Sequence, residues 1–221
     1  MATTRRLDLR CYLVTGPGEP AKIARIAAAA AAGGAGVVQV RSKPIAARDL
    51  YELARRVASS VADANPKTRV LVDDRADVAA ALIAEGENVH GVHLGQDDLP
   101  PKAARRLLGG EAIVGLTTGT LELVRGANEV AEHIDYIGAG PFRPTPTKDS
   151  GREPLGIDGY PPLARESAVP VVAIGDVTPR DAEPLAGTGI AGVALSRALM
   201  RAADPEAAAR EVLAGFERGR S

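Results

Sequence analysis

The stretch Val70–Leu94, VLVDDRADVAAALIAEGENVHGVHL, decides the fold. It opens on a short apolar run, Val70–Asp73. An Ala/Leu-rich segment follows, Ala76–Glu85, and a polar, glycine-containing turn leads to a second apolar run, Gly91–Leu94. The two runs read as strands buried on both faces, as parallel strands are. The segment between them reads as the helix that a parallel crossover requires.

The same rhythm continues in both directions. Upstream lie apolar runs at Leu7–Val14 and Val37–Arg41, and downstream at Ala112–Leu116, Ile134–Gly138, Val171–Ile174 and Gly192–Leu195. Helical patterns alternate with them at Ala21–Ala32, Ala46–Ala64, Pro101–Leu108, Leu121–Val130, Gly159–Glu166, Arg180–Ala186 and Pro205–Glu217. Pro170 stands at a strand start, and Pro101, Pro161 and Pro179 stand near helix starts, where a missing N–H costs little. Eight strands in 221 residues predict a single (β/α)8 TIM barrel domain over residues 1–221. The competitor is an open doubly wound sheet, which would carry a Gly-x-Gly-x-x-Gly turn after its first strand. Thr15-Gly-Pro-Gly18 is the nearest approach, and its spacing is wrong.

Composition narrows the partners. The chain is 45% hydrophobic, enough for a full core, and its net charge of −1 gives no electrostatic case for nucleic acid or an anionic membrane. Aromatic residues make up 3% and Trp is absent, so base-stacking platforms are not expected. The single cysteine, Cys11, lies in an apolar run and reads as a small core residue of a reduced compartment. The N-terminal residues lack the apolar core of a signal peptide, and Ile26–Ala32 is too short to span a bilayer. The expected location is cytoplasmic. The oligomeric state stays open, a homo-oligomer included.

A barrel places its chemistry at the C-terminal ends of the strands. After the second strand stands Gln39-Val-Arg-Ser-Lys43, where alternation sets Gln39, Arg41 and Lys43 on one face. Two cations and an amide at a barrel mouth suit a phosphate or diphosphate; the bland alternative is solvated charges. The third strand ends in Asp73-Asp74-Arg75 and the fourth in His93-Leu-Gly-Gln-Asp-Asp98. Adjacent strand tips lie roughly 4.8 Å apart, so these carboxylates can share a hard cation such as Mg²⁺. Helix capping is the alternative for one Asp of each pair. Thr117, Thr118 and Thr120 follow the fifth strand, the turn Gly175-Asp176 follows the seventh, and Ser196-Arg197 follows the eighth. His93 reads as a satisfied core or mouth histidine rather than a catalytic base. The loop after the sixth strand, Gly140-Pro-Phe-Arg-Pro-Thr-Pro-Thr-Lys-Asp-Ser-Gly-Arg152, is neither helix nor inner strand. It carries Thr145, Thr147, Lys148 and Arg152 and suits an anion.

The ordered set Gln39-x-Arg-x-Lys43, Asp73-Asp74-Arg75, His93-x-Gly-Gln-Asp-Asp98, the Thr117 turn and Gly140-Pro-x-x-Pro-Thr-x-Thr-Lys148 resembles the thiamine-phosphate synthase family over essentially the whole chain. The resemblance implies the same barrel. It also implies a transferase reaction that joins 4-amino-2-methyl-5-pyrimidinylmethyl diphosphate to 4-methyl-5-(2-phosphoethyl)thiazole. By similarity, Gln39, Val40, Arg41, Ser42, Lys43, Asp73, Thr117 and Lys148 would bind the pyrimidine diphosphate, with Arg41, Lys43 and Lys148 catalytic. Asp74 and Asp98 would bind Mg²⁺. Thr145, Pro146, Thr147, Gly175, Asp176, Ser196 and Arg197 would bind the thiazole phosphate.

Some positions depart from the family pattern. Asp73 stands where Asn is usual, Thr117 for Ser and Gly119 where His is common. Asp176 replaces the second Gly of a phosphate-binding turn, and Arg197 replaces a commoner Ser. A carboxylate at 176 would repel a phosphate unless it points away, and Arg197 could offset it. The alternatives are a thiazole tautomerase-like paralogue, whose characteristic His falls at Gly119, and a non-catalytic regulator that binds thiamine precursors.

Overall fold

The computed structural model describes residues 7–144, 151 and 153–220. Eight parallel strands close into a barrel in sequence order, the last pairing with the first. They are β1 Cys11–Val14, β2 Val37–Val40, β3 Arg69–Asp73, β4 Gly91–Leu94, β5 Ile113–Thr118, β6 Tyr136–Ala139, β7 Val171–Ala173 and β8 Gly192–Leu195. The helices described are α1 Pro20–Ala32, α2 Ala47–Ala64, α3 Ala76–Ala84, α4 Pro101–Leu108, α5 Leu121–Asn128, α6 Tyr160–Glu166, α7 Ala182–Ala186, α8 Arg197–Met200 and α9 Pro205–Arg218. The expected (β/α)8 barrel is the observed architecture. Several bounds differ from expectation: β5 runs on to Thr118, and β6 begins at Tyr136 rather than Ile134. β1 is shorter than Leu7–Val14 because pairing begins only at Cys11, and the short α8, four residues long, was not anticipated.

Strand alternation divides the core in two. Cys11, Leu13, Val38, Val40, Val70, Val72, Val92 and Leu94 point outward into the layer shared with the helices. The amphipathic α2 meets that layer with Leu50, Leu53, Ala54, Val57, Ala58 and Val61, spaced by three and four. Tyr12, Val14, Val37, Leu71, Ile113, Tyr136, Val172 and Ala194 point inward and fill the barrel. Cys11 is fully buried, and burial pushes its thiol up to about 12, as befits a core residue. α9, capped by Asp204 and started by Pro205, packs on α1 and α7 and covers the closure of the barrel. Among the described residues no helix is long and apolar enough to cross a membrane.

The inner layer turns polar toward the C-terminal mouth. Asp73 is level with His93, His93 with Gly115, and Gly115 with Tyr136. Gly115 makes that row possible. A Cβ there would stand 2.4 Å from the Tyr136 hydroxyl and 2.5 Å from His93 Nδ1.

Candidate active site

The floor of the mouth is a continuous hydrogen-bond chain. Gln39 Nε2 donates to Asp73 Oδ1 at 2.5 Å, and the Tyr12 hydroxyl donates to Gln39 Oε1 at 3.0 Å. Having spent its proton, Tyr12 accepts from the Tyr136 hydroxyl, 2.7 Å away. Tyr136 in turn accepts from His93 Nδ1 at 2.8 Å, and the other ring nitrogen, Nε2, lies 3.0 Å from the Thr117 hydroxyl. Each group donates to the next from His93 to Asp73. Burial pushes both tyrosine hydroxyls far up, so they stay protonated donors. His93 has a partner on each ring nitrogen.

One rim stands above the ends of β2, β3 and β4. Thr15, fully buried, fixes the backbone of Arg41: its hydroxyl donates to the Arg41 carbonyl and accepts from the Arg41 N–H, both at 2.8 Å. Arg41 Nε and Lys43 Nζ each lie 3.5 Å from Asp73 Oδ2, a buried oxygen with no hydrogen-bond partner among the described residues. Burial, reinforced by the neighbouring Asp74 carboxylate and opposed by Lys43 and Arg41, pushes Asp73 up to about 6. Lys43 also pairs with Asp74, whose backbone is left-handed at φ 59°. Asp98 is pushed up by burial; the Gly95 N–H, which it accepts at 2.6 Å, opposes this, and the adjoining Asp74 side chain adds to it. Capping does not account for these carboxylates: α3 and α4 begin without a side-chain cap.

The donor set fits Mg²⁺. Asp74 and Asp98 approach each other from two loops, and among the described residues no third His, Cys, Asp or Glu completes a metal cluster. A hard cation that takes two protein carboxylates and completes its shell with water and substrate phosphate is Mg²⁺.

The opposite rim follows β7 and β8. Gly175 has φ 104°, and a Cβ there would stand 2.6 Å from Pro141 Cα, so only glycine lets the turn pack on the loop after β6. Phe142 N–H donates to the Ile174 carbonyl at 2.8 Å and Arg143 N–H to the Gly175 carbonyl at 3.0 Å. The Arg143 guanidinium grips Asp181 with two bonds, 2.7 and 2.5 Å. Asp176, also left-handed at φ 58°, accepts from Arg197 Nη2 at 2.5 Å. The carboxylate expected to repel an anion is thus neutralised by the arginine expected to offset it.

Both rims line one cavity of about 1120 Å³, its open mouth included. Gln39, Arg41, Asp73 and Thr117 face Gly175, Asp176, Ser196 and Arg197 across it, over a floor of Tyr12, His93 and Tyr136. Lys43, Asp74 and Asp98 flank Asp73 at the outer edge of the first rim. Val40 packs outward with Val38, and Ser42 is buried beside Arg41. Thr145, Pro146, Thr147 and Lys148, with Arg152, lie outside the described residues. Sequence reasoning missed Tyr12, Tyr136 and Thr15. A signal existed for the tyrosines: each falls on the inward parity of its strand, where a phenol must find a partner. Of the three threonines, Thr120 caps α5 by accepting from Leu123 N–H at 3.2 Å, whereas Thr117 and Thr118, at the end of β5, line the cavity.

Comparison with known proteins agrees with this geometry. Residues 11–199 match the family model described as thiamine monophosphate synthase. The chain is 67% identical to thiamine-phosphate synthase of Corynebacterium jeikeium over 95% of each chain. It is 61% identical to that of Corynebacterium efficiens over 96% of this chain and 97% of the other. The solved structure of thiamine phosphate pyrophosphorylase from Pyrococcus furiosus superposes with a TM-score of 0.81 at 28% identity, covering 98% of this chain and 99% of that one. A family match across the barrel and relatives this similar over their full length place the chain in the thiamine monophosphate synthase family.

Proposed function

We propose that the protein is a thiamine-phosphate synthase, joining 4-amino-2-methyl-5-pyrimidinylmethyl diphosphate to 4-methyl-5-(2-phosphoethyl)thiazole with release of diphosphate. The observation that carries the reading is the juxtaposition of Arg41, Lys43, Asp74 and Asp98 on one rim of a cavity whose other rim offers Arg197. Relatives at 67% and 61% identity carry the synthase name, which favours this reading over a tautomerase or a regulator.

The chemistry matches what these residues can do. The methylene carbon–oxygen bond breaks and its electron pair leaves with the diphosphate. The pyrimidine, through its 4-amino group, delocalises the cation left behind. The thiazole nitrogen then forms the new bond with its lone pair and becomes a quaternary thiazolium. It has no proton to lose, so no general base is needed, and a His93 engaged at both nitrogens suits that requirement. Arg41 and Lys43 hold positive charge where the leaving diphosphate gathers negative charge, a role Lys148 shares by family resemblance. Asp74 and Asp98 would hold Mg²⁺, which when bound neutralises charge on the phosphate oxygens. Gln39, its amide orientation fixed between Tyr12 and Asp73, and Thr117 would orient the pyrimidine. Gly175, Asp176, Ser196 and Arg197, with Thr145 and Thr147, would receive the thiazole phosphate.

The test is direct. Incubation with both substrates and Mg²⁺ is expected to give thiamine phosphate and diphosphate in equal amounts. No product at high enzyme concentration would overturn the proposal.

A further inference from the structure

Asp74 and Asp176 are the non-glycine residues with left-handed backbone among those described, and both stand at the cavity mouth. That region favours glycine, and an aspartate held there signals a local demand. At Asp74 the demand is met by the proposed metal site. At Asp176 the side chain has one hydrogen-bond partner among the described residues, the Arg197 guanidinium. The rest of the turn is held without that carboxylate. Gly175 is packed on Pro141 and bonded to Arg143, and Arg143 Nη1 donates to the Asp176 carbonyl at 3.3 Å. Among the described residues no acceptor takes the backbone N–H of Gly175 or Asp176.

We propose that Asp176 is an internal stand-in for the substrate's phosphate: it holds Arg197 while the subsite is empty, yields it to an incoming phosphomonoester, and so sets the affinity and charge selectivity of the second-substrate subsite. The ligand's identity rests on the synthase reading above; the ion pair does not. Both partners are about one third exposed, and an ion pair so open to water holds weakly. A phosphomonoester brings close to two negative charges and three acceptor oxygens, and it matches the guanidinium fork. It therefore displaces a singly charged carboxylate, whereas a monoanion or an unphosphorylated thiazole alcohol does not. Once displaced, Asp176 remains beside the bound dianion and repels it. Affinity for substrate and for the phosphorylated product falls together, and the product leaves sooner.

The decisive variant is Asp176→Asn, which keeps the side-chain shape and tolerates left-handed backbone. Asp176→Gly, which relieves that backbone altogether, replaces it should Asn fail to fold. The KM for the thiazole phosphate and the inhibition constant of thiamine phosphate are expected to fall about two- to fivefold, the worth of a partly exposed ion pair. The KM for the pyrimidine diphosphate should not change. Calorimetry with inorganic phosphate should show binding tightened by a similar factor, and Arg197→Gln should remove the gain. An unchanged or raised KM for the thiazole phosphate overturns the proposal. Should the parent protein make no thiamine phosphate, the synthase reading fails by itself, and inorganic phosphate then decides: unchanged or weaker binding in the variant overturns the role of Asp176.

Discussion

The rim after β2, β3 and β4 sets Arg41 and Lys43 against Asp73, Asp74 and Asp98, whereas the rim after β7 and β8 sets Arg197 against Asp176. Both park a cation on a carboxylate. They differ in balance and in support. Among the described residues the first rim has one more carboxylate than cation, so a divalent ion joining it would favour an anionic substrate there. The second is balanced among those residues, and a phosphate needs only to exchange one anion for another. The first is held by side chains, through Thr15 and the chain that ends on Asp73. The second is held by backbone packing of Gly175 on the loop after β6. The difference teaches that substitutions on the first rim should strike chemistry and those on the second should strike folding or affinity.

The largest expected effect breaks the first rim alone. Asp98→Ala removes one of the proposed metal ligands and should lower turnover on the order of a thousandfold at any Mg²⁺ concentration. The KM for the thiazole phosphate should stay near its parent value, since Asp98 does not line the cavity that holds Arg197. Steady-state kinetics with each substrate varied in turn checks this, and near-native turnover would remove Asp98 from the site. The matching break in the second rim is Gly175→Ala. The new Cβ would meet Pro141 Cα at 2.6 Å and the Phe142 nitrogen at 2.8 Å on a backbone at φ 104°. A loss of about 3 kcal/mol in urea unfolding is expected. A loss below about 0.5 kcal/mol would show that the close approach is not a constraint.

These two rims were not equally legible in the sequence. The barrel was, because Val70–Leu94 and its counterparts repeat one period and each strand run is apolar on both faces. The first rim was legible too, since Gln39, Arg41 and Lys43 alternate from the end of β2 outward and Asp73 and Asp98 belong to the ends of neighbouring strands and the loop beyond. The Asp176–Arg197 pair could be guessed only as charges that might cancel, because it joins loops 21 residues apart whose approach depends on barrel closure. The floor was the least legible part, its one signal being the inward parity of two tyrosines. Tyr12 and Tyr136 read as ordinary apolar strand residues, and their hydroxyls meet across 124 residues of sequence. Gly115 gave no sign that it makes room for one of them.

Tyr136→Phe sharpens the comparison from below, because the floor joins Thr117 to Asp73 beneath both rims. It keeps the ring and removes the hydroxyl that accepts from His93 and donates to Tyr12. Two buried polar groups lose a partner, and a destabilisation of about 1–2 kcal/mol is expected. Gln39 also loses the far end of the chain that orients it, so the KM for the pyrimidine diphosphate should rise more than that for the thiazole phosphate. An equal rise in both would show that the chain does not serve one subsite.

The smallest effect concerns the clamp under the second rim. Burial alone would raise the Asp181 carboxyl, but Arg143 and the N–H and hydroxyl of Thr178 outweigh it, and the group is held below the usual range. Its folded value lies below its unfolded one, so the unfolded chain binds the proton more readily as the solution turns acid. The contribution is therefore complete above the unfolded carboxylate value, about pH 4, and is lost as pH falls through the folded one. Arg143 is nearly half exposed, which limits the pair to about 1 kcal/mol. Asp181→Asn keeps acceptors for Thr178 and removes the charge, so it should be less stable than the parent in urea at pH 7 and nearly equal to it at pH 3. A gap that persists unchanged at pH 3 would mean that hydrogen-bond shape rather than charge holds the clamp. The backbone of the second rim would then owe nothing to electrostatics, in contrast to the first.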